Sequence, residues 1–237
     1  ACINLGRVSE ENGLVGINNA SEYNHALRDL QLSKKIGNRY HICHISTKET
    51  VAGLREYRKQ GLPVSGEACP HHLILTDENI KNLNPNYKMN PPLRSAADVE
   101  ALVDGLADGT MEAISTDHAP HGEEEKKQSI AKAPFGIVGS ETAYALSVTH
   151  LVKTGKLTPL QLVEKMSTNP CRILSVPGGT LSVGAPADIT IADMDSEYVI
   201  DKNTFLSKGK NTPFDGAKVN GRVYYTIVGG NIVYQYE

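Results

Sequence analysis

Two short segments of the chain end in side chains that commonly bind metal ions. Asp117 follows the apolar residues 111–114, and His44 lies near the end of the apolar segment 40–45. Carboxylates and neutral imidazoles are suitable zinc ligands. If both segments are strands of one parallel sheet, their carboxyl ends lie at the same edge. The pattern therefore predicts a hydrolytic metal site at that edge.

Both candidate ligands also have a structural interpretation. A His in an apolar strand is commonly a hydrogen-bonded core residue, and an Asp after a strand often caps the next turn. His41 has the opposite strand parity to His44, so the two rings should face opposite sides; His44 is nearer the loop and is our choice. Asp117 has the stronger case, because burying a carboxylate is costly unless a cation meets it.

Two loops carry further candidates for substrate binding. Pro120 stiffens the segment that presents His121, which could bind a carboxylate, although simple surface solvation is the alternative. Pro91 and Pro92 fix the backbone beside Asn90, whose amide can both donate and accept hydrogen bonds. An ordinary proline-rich turn explains the same residues.

Two other segments could serve either structure or binding. The backbone N–H groups of Phe135 and Gly136 could contact a planar ligand, or they could form only a turn. His71 and His72 are adjacent, so their side chains should diverge and a metal site using both is not expected. Structural hydrogen bonding is the role we predict for this pair.

Predicted strands and helices alternate, which indicates βαβ units and a parallel sheet. The predicted helices are 21–36, 47–60, 95–106, 141–153 and 158–167, and the predicted strands are 40–45, 62–69 and 111–116. A closed eight-unit barrel needs roughly 250 residues, so either the sheet is open or further units lie upstream of Ala1. Short β runs with glycine turns follow Pro177. We predict a division into residues 1–176 and a small β module at residues 177–237.

Composition restricts the class of partner and compartment. The chain has 24 basic and 27 acidic residues and a formal charge of -3, which does not favour nucleic acid or a membrane surface as partner. Four cysteines lack CxxC spacing, so we expect free thiols, with Cys43 buried, and a cytoplasmic location. The charged residues 122–132 predict a mobile loop that folds over a ligand.

Five motifs in this order resemble the cyclic amidohydrolases, most closely the dihydroorotases of the bacterial, longer-chain type. They are residues 41–46 (HICHIS), 70–73 (PHHL), 87–94 (YKMNPPLR), 116–121 (TDHAPH) and 133–142 (APFGIVGSET). Residues 169–170 (NP) and 184–189 (GAPADI) resemble the end of such chains, where they return to a small β domain. The motifs NPPLR and DHAPH are the most specific of these.

The resemblance implies the C-terminal part of a metal-dependent (β/α)8 TIM barrel with a small β domain. It implies reversible cyclisation of N-carbamoyl-L-aspartate to dihydroorotate with one or two zinc ions. His44 would be a metal ligand, and Asp117 both a ligand and the general acid/base. The implied substrate-binding residues are Asn90, His121, Phe135 and Gly136. A small-molecule substrate is expected, and a homodimer is the assembly to test for.

The sequence departs from this family in its metal ligands. The His-x-His pair, the bridging ligand and a further His of such enzymes are not found in the chain. Two alternatives therefore stay open. One is a hydantoinase or allantoinase acting on another cyclic amide, and the other is a metal-deficient scaffold of the same fold.

Overall fold

The computed structural model describes residues 1–236, so Glu237, the last residue of the predicted C-terminal module, lies outside the described part. The strands are β1 (Ile3–Asn4), β2 (Gly16–Ile17), β3 (Tyr40–Ile42), β4 (Val64–Ala68), β5 (Ala113–Ile114), β6 (Ile189–Val199), β7 (Lys218–Val228) and β8 (Asn231–Gln235). The helices are α1 (Arg7–Glu11), α2 (Ala20–Ile36), α3 (Lys48–Lys59), α4 (Pro70–Ile74), α5 (Ala96–Ala107), α6 (Glu123–Lys126), α7 (Ala143–Ser147), α8 (Pro159–Val163) and α9 (Asn169–Leu174). Wider π turns at Val148–Val152 and Glu164–Thr168 extend α7 and α8.

Three parallel strands form the sheet that carries the candidate site. β3 pairs with β4, and β4 pairs with β5, with Tyr40 opposite Val64 and Ala68 opposite Ile114. Helices α2, α3 and α5 cover one face of this sheet, and their apolar side chains form one core with those of the strands. The alternation of strand and helix is the one that the sequence predicts. Because the strands are parallel, their carboxyl ends meet at one edge.

Helix α3 shows how local sequence builds this layer. Thr47 caps its first turn by accepting a hydrogen bond from the Thr50 N–H, and basic side chains occupy its last turn. Val51 and Leu54 lie on its inner face and are fully buried. Burying each such side chain stabilises the fold by about 1.5–3 kcal/mol. The following Gly61 has a φ of 76°, a left-handed conformation that ends the helix.

A second, antiparallel sheet follows in the order β6-β7-β8. Irregularities in register interrupt the β6–β7 pairing after Ile191 and after Asp193. The sheet packs on α7 through β7. A β module after the helical units is therefore observed as expected, whereas its boundary at residue 176 stays a prediction. Among the described residues, none of the helices is both long and apolar enough to cross a bilayer.

One strand prediction and one loop prediction differ from the structure. The predicted strand at residues 40–45 ends at Ile42, because His44 adopts a left-handed backbone. The predicted mobile loop at residues 122–132 contains helix α6, and Lys126 and Ile130 are buried within it. Sequence charge had suggested a solvated loop, but these two side chains anchor the segment to the protein.

Candidate active site

His44 and Asp117 meet at the carboxyl edge of the parallel sheet. Each lies just beyond a short strand, and their φ values are 53° and 45°. Such left-handed backbone is strained for residues other than glycine and concentrates at functional sites. The two turns direct the side chains towards each other, so that His44 Nε2 lies 3.7 Å from Asp117 Oδ1. The structure therefore brings the two predicted metal ligands together.

Glu67, at the end of β4, orients the His44 ring. Its Oε1 lies 3.0 Å from His44 Nδ1. The carboxylate accepts a hydrogen bond from Nδ1–H and leaves the Nε2 lone pair directed at Asp117, which is the arrangement found behind metal-bound imidazoles. The hydrogen bond to Glu67 raises the pKa of His44. Burial alone would raise the pKa of Glu67, but hydrogen bonds from His41 and His44 lower it below its ordinary value.

The expectation that His41 and His44 face opposite sides is wrong at this site. His41 Nε2 lies 3.2 Å from Oε2 of Glu67, the same carboxylate that contacts His44. Strand parity applies only while the backbone stays extended, and β3 ends at Ile42. The left-handed turn at His44 then swings its ring back to the side of the sheet that His41 and Glu67 share.

The donor set fits a zinc-type ion. Two ligands of one tetrahedral zinc ion, with bonds of about 2.0–2.1 Å, lie about 3.3 Å apart. The 3.7 Å between His44 Nε2 and Asp117 Oδ1 is close to that spacing. An imidazole nitrogen and a carboxylate oxygen are also the atoms that such an ion prefers. These two residues would therefore hold the ion, with Glu67 behind His44.

We expect Glu67→Gln to weaken zinc binding about 10–100-fold, the effect typical of losing a carboxylate behind a ligating His. A Gln amide offers only one acceptor oxygen, so it cannot hold both imidazole rings in their present orientation. Competition with a chromophoric chelator measures the affinity. Glu56→Gln, on the exposed face of α3, is the matched control. Equal affinity of Glu67→Gln and the control would show that Glu67 does not orient the ligand.

The segment after Asp117 runs beside the segment that carries Phe135 and Gly136. His118 pairs with Ile137 as a parallel bridge, and the Ala119 N–H donates to the Ile137 carbonyl at 2.8 Å. A Cβ atom on Gly136 would lie 2.4 Å from the Ala119 Cβ, so only glycine permits this approach. The pairing places the 133–136 turn beside the segment that follows Asp117.

The predicted substrate-binding residues have different surroundings. Asn90 is exposed, and His121 Nε2 donates to the Phe135 carbonyl at 2.8 Å. The Gly136 N–H donates to the Lys88 carbonyl, and its own carbonyl accepts from Lys126 and the Asn211 amide. The backbone of Gly136 is thus engaged within the protein. The binding roles of these residues stay predictions.

Two buried lysines hold the 131–136 backbone. Lys88 Nζ donates to the carbonyls of Ala131 and Ala133 and lies 4.5 Å from the centre of the Phe135 ring. Lys126 Nζ donates to the carbonyls of Pro134 and Gly136, at 3.1 and 3.0 Å. Burial, with a further contribution from the Lys88 charge, lowers the pKa of Lys126 to about 8. This turn is therefore fixed by charge-assisted hydrogen bonds.

This burial predicts a pH-dependent stability. Below about pH 8, Lys126 is protonated in both the folded and the unfolded chain. Between about pH 8 and pH 10.5, it is protonated in the unfolded chain but largely neutral in the folded one. Because the unfolded chain then binds more protons, the free energy of unfolding rises with pH over this interval. Met cannot titrate, so we expect the free energy of unfolding of Lys126→Met to lack this rise. The wild type should therefore gain stability relative to the variant between about pH 8 and pH 10.5. Urea unfolding at several pH values measures the difference, with Lys127→Met as exposed control. Parallel pH profiles for wild type and Lys126→Met would contradict the assignment.

The predicted divergence of His71 and His72 is also wrong. Their ring centroids lie 4.3 Å apart at the start of α4, beside the buried Cys69. The predicted hydrogen-bonding role is observed in part, since His72 Nε2 donates to the Pro91 carbonyl at 2.8 Å. Burial lowers the pKa of His72 to about 4, so the ring is neutral.

All four cysteines are free, as predicted, but Cys43 is exposed rather than buried.

A buried polar network fixes the loop that follows His44. Arg94 donates through Nε to Ser46 Oγ at 3.1 Å and through Nη1 to the Ile17 carbonyl at 2.8 Å. Glu22 accepts hydrogen bonds from the backbone N–H groups of Ser46 and Thr47. Arg94, the last residue of the NPPLR motif, thus does not contact the candidate ligands itself. It holds the backbone of the loop that follows His44.

Sequence reasoning missed Glu67, Lys126 and Arg94 as contributors to the site. The signal for Glu67 was present, because a carboxylate near the end of a buried strand requires a partner. Lys126 stands among exposed Glu and Lys residues in the sequence. Nothing local to that charged run distinguishes it, and its burial depends on the distant turn that it contacts.

These features define a partial α/β barrel with metal-ligand side chains at the carboxyl ends of its strands. Residues 18–233 match the model of the amidohydrolase family. The chain belongs to the amidohydrolase family, whose members generally depend on a metal ion, and the predicted family resemblance is confirmed.

Among curated proteins, the chain is similar to dihydroorotases of the genus Bacillus. It is 53% identical over 230 residues to the one from Bacillus licheniformis, covering 97% of this chain and 54% of that protein. It is 51% identical over 233 residues to the one from Bacillus subtilis, covering 98% of this chain and 54% of that protein. The chain thus spans about half the length of the curated relatives that it matches.

Solved structures of hydantoinases share the fold. L-hydantoinase from Arthrobacter aurescens aligns with a TM-score of 0.85 and 32% identity, over 90% of this chain and 48% of that chain. D-hydantoinase from Thermus sp. aligns with a TM-score of 0.86 and 25% identity, over 97% of this chain and 51% of that chain. The predicted fold, part of a (β/α)8 barrel followed by a small β domain, is confirmed by this likeness.

Proposed function

We propose that this protein is a dihydroorotase, which reversibly cyclises N-carbamoyl-L-aspartate to dihydroorotate in de novo pyrimidine synthesis. The observation that carries the proposal is the approach of His44 and Asp117 to 3.7 Å at the edge of the parallel sheet. The NPPLR and DHAPH motifs, and the Bacillus relatives that bear this name, support the choice of substrate. A cytoplasmic location and a homodimer belong to the same proposal.

His44 and Asp117 would hold a zinc ion, with one or two ions in the complete site. When bound, the ion would acidify a water molecule and polarise the amide carbonyl of the substrate. Glu67 keeps the His44 ring in place through its contact with Nδ1. His41 shares that carboxylate and restrains it from the other side.

Asp117 would carry the protons of the reaction. In the hydrolytic direction its carboxylate accepts the proton of the attacking water and then delivers it to the departing ring nitrogen, as a general base and then a general acid. The left-handed backbone at Asp117 aims the carboxylate at the site. The same residue would act in reverse order when the ring closes.

The turn at residues 133–136 and the neighbouring loops would orient the substrate. Asn90 and His121 would bind its carboxylate, and the Phe135 N–H is the backbone group that we assign to the pyrimidine ring. Lys88 and Lys126 fix this turn before substrate arrives. Such preorganisation lowers the entropic cost of reaching the reactive geometry.

Hydantoinase activity is the second candidate, because the structural likeness to hydantoinases extends over most of the chain. Parallel assays of the intact gene product with dihydroorotate, hydantoin and allantoin separate the two. Turnover of dihydroorotate in clear preference to the other amides is expected. A preference for hydantoin or allantoin would overturn the dihydroorotase proposal while leaving the family unchanged.

Metal analysis separates an enzyme from a scaffold of the same fold. We expect the intact gene product to retain stoichiometric zinc after dialysis, and to lose turnover when a chelator removes it. Absence of both zinc and activity towards all three amides would support the scaffold.

A further inference from the structure

We propose that Cys69, His71 and His72 form a second cation site, separate from the His44–Asp117 pair, for a thiophilic ion such as Zn²⁺ or Cd²⁺. Cys69 follows β4 and is the N-cap residue of α4, and the two His residues lie in the first turn of α4. One ligand atom from each of the three lies within 4.8 Å of the other two. The three residues are also buried, with at most 2% of each exposed.

One ring nitrogen of each of these two histidines lacks the hydrogen bond that burial normally requires. His71 Nε2 and His72 Nδ1 are buried and have no hydrogen-bond partner within residues 1–236. The Pro91 carbonyl can only accept, so His72 Nε2 carries the proton in its 2.8 Å hydrogen bond. The Nδ1 atom of the neutral ring therefore has an unused lone pair. Leaving such polar atoms buried and unpaired is costly, and a cation that binds them removes the cost.

The ligand chemistry selects the class of ion. One sulfur and two imidazole nitrogens suit Zn²⁺ and Cd²⁺, whereas Mg²⁺ and Ca²⁺ require oxygen ligands. Ligand atoms around one zinc ion lie about 3.3–3.8 Å apart. The ligand atoms of the cluster lie within 4.8 Å of one another, so it needs to contract by at most about 1.5 Å. On binding, the Cys69 thiol gives its proton to solvent and the sulfur bonds to the ion.

The second site contacts the first through the Cys69 sulfur. Cys69 Sγ lies 3.4 Å from His44 Nδ1, the nitrogen that Glu67 also approaches. A cation on the sulfur would place positive charge beside that ring. We therefore expect occupation of the Cys69 site to weaken metal binding by His44 and Asp117.

Cadmium titration tests the proposal directly, because thiolate–cadmium bonds give an ultraviolet charge-transfer band that carboxylate and imidazole ligands do not. Cys43→Ala serves as the parent, since Cys43 lies within ligand distance of His41 and Glu67. We expect the band to saturate at one equivalent of Cd²⁺ in the parent and to vanish in Cys69→Ser. Cys171→Ser, which removes a thiol outside the cluster, should retain it. His71→Asn and His72→Asn should each weaken binding at least about ten-fold.

A second measurement needs no substitution at Cys69. X-ray absorption at the cadmium edge of the parent should show one sulfur and two imidazole ligands. Absence of a sulfur ligand, or a band that survives Cys69→Ser, would overturn the proposal. Neither readout depends on turnover, so the result is independent of the proposed dihydroorotase activity.

Discussion

Replacing Asp117 with Asn is expected to abolish dihydroorotate turnover in the intact gene product while leaving the fold unchanged. An Asn side chain keeps the shape of Asp but cannot accept a proton, and it is a weaker metal ligand. General acid–base catalysis alone accounts for about 10²–10⁴-fold in rate, and the weakened metal ligand adds to this loss. The left-handed φ of 45° at this position is also one that Asn tolerates well.

The measurement pairs steady-state kinetics with urea unfolding of the same preparations. The control is Asp104→Asn, on the exposed face of α5, which should leave both quantities unchanged. If Asp117→Asn retained turnover within a few-fold of wild type, another residue would have to be the base. Loss of folding together with activity would instead indicate a structural role for Asp117.

Arg94→Leu is expected to produce the largest loss of stability among the substitutions considered. The guanidinium is 2% exposed and binds Ser46, Asn4 and the Ile17 carbonyl. Its Nη2 also lies 4.0 Å from the Glu22 carboxylate, which stays behind when the arginine is removed. The Glu22 side chain is 14% exposed, and removing the charged partner of a largely buried carboxylate typically costs about 3–5 kcal/mol. We therefore expect a loss of that size in the free energy of unfolding.

Urea unfolding of Arg94→Leu and of Arg7→Leu measures this effect against a matched arginine. Arg7 forms ion pairs with Glu11 and Glu78 at the surface, and its loss should change stability little. Because Arg94 holds Ser46, two residues after His44, the variant should also bind zinc more weakly. Equal stabilities for the two variants would show that the Arg94 network does not support this part of the fold.

Much of the secondary structure was predictable because its causes are local. The periodic apolar residues of α2 and α3, the cap at Thr47 and the capping box at Ser95 are each encoded within a few residues. The strand positions followed in outline from short apolar runs. The motifs around His44 and Asp117 also indicated that two ligands lie at strand ends, since parallel strands finish at one edge.

The precise ends of the strands depended on tertiary structure. Apolar sequence alone predicted that the segment of His44 stays extended to residue 45, yet β3 ends at Ile42. The left-handed turn is strained by itself and persists because surrounding contacts hold it, among them Glu67 on the ring and Arg94 on the next loop. That turn reversed the predicted relation between His41 and His44.

The sequence by itself determined the order of helices and strands, the family, and which two side chains are candidate metal ligands. Only the tertiary structure decided that Glu67 stands behind His44, that Lys126 is buried, and that Cys69, His71 and His72 converge. The physical reason is the range of the interactions. Propensity and periodicity act over a few residues, whereas a buried charge or an unpaired nitrogen is defined by groups brought to it from elsewhere in the chain.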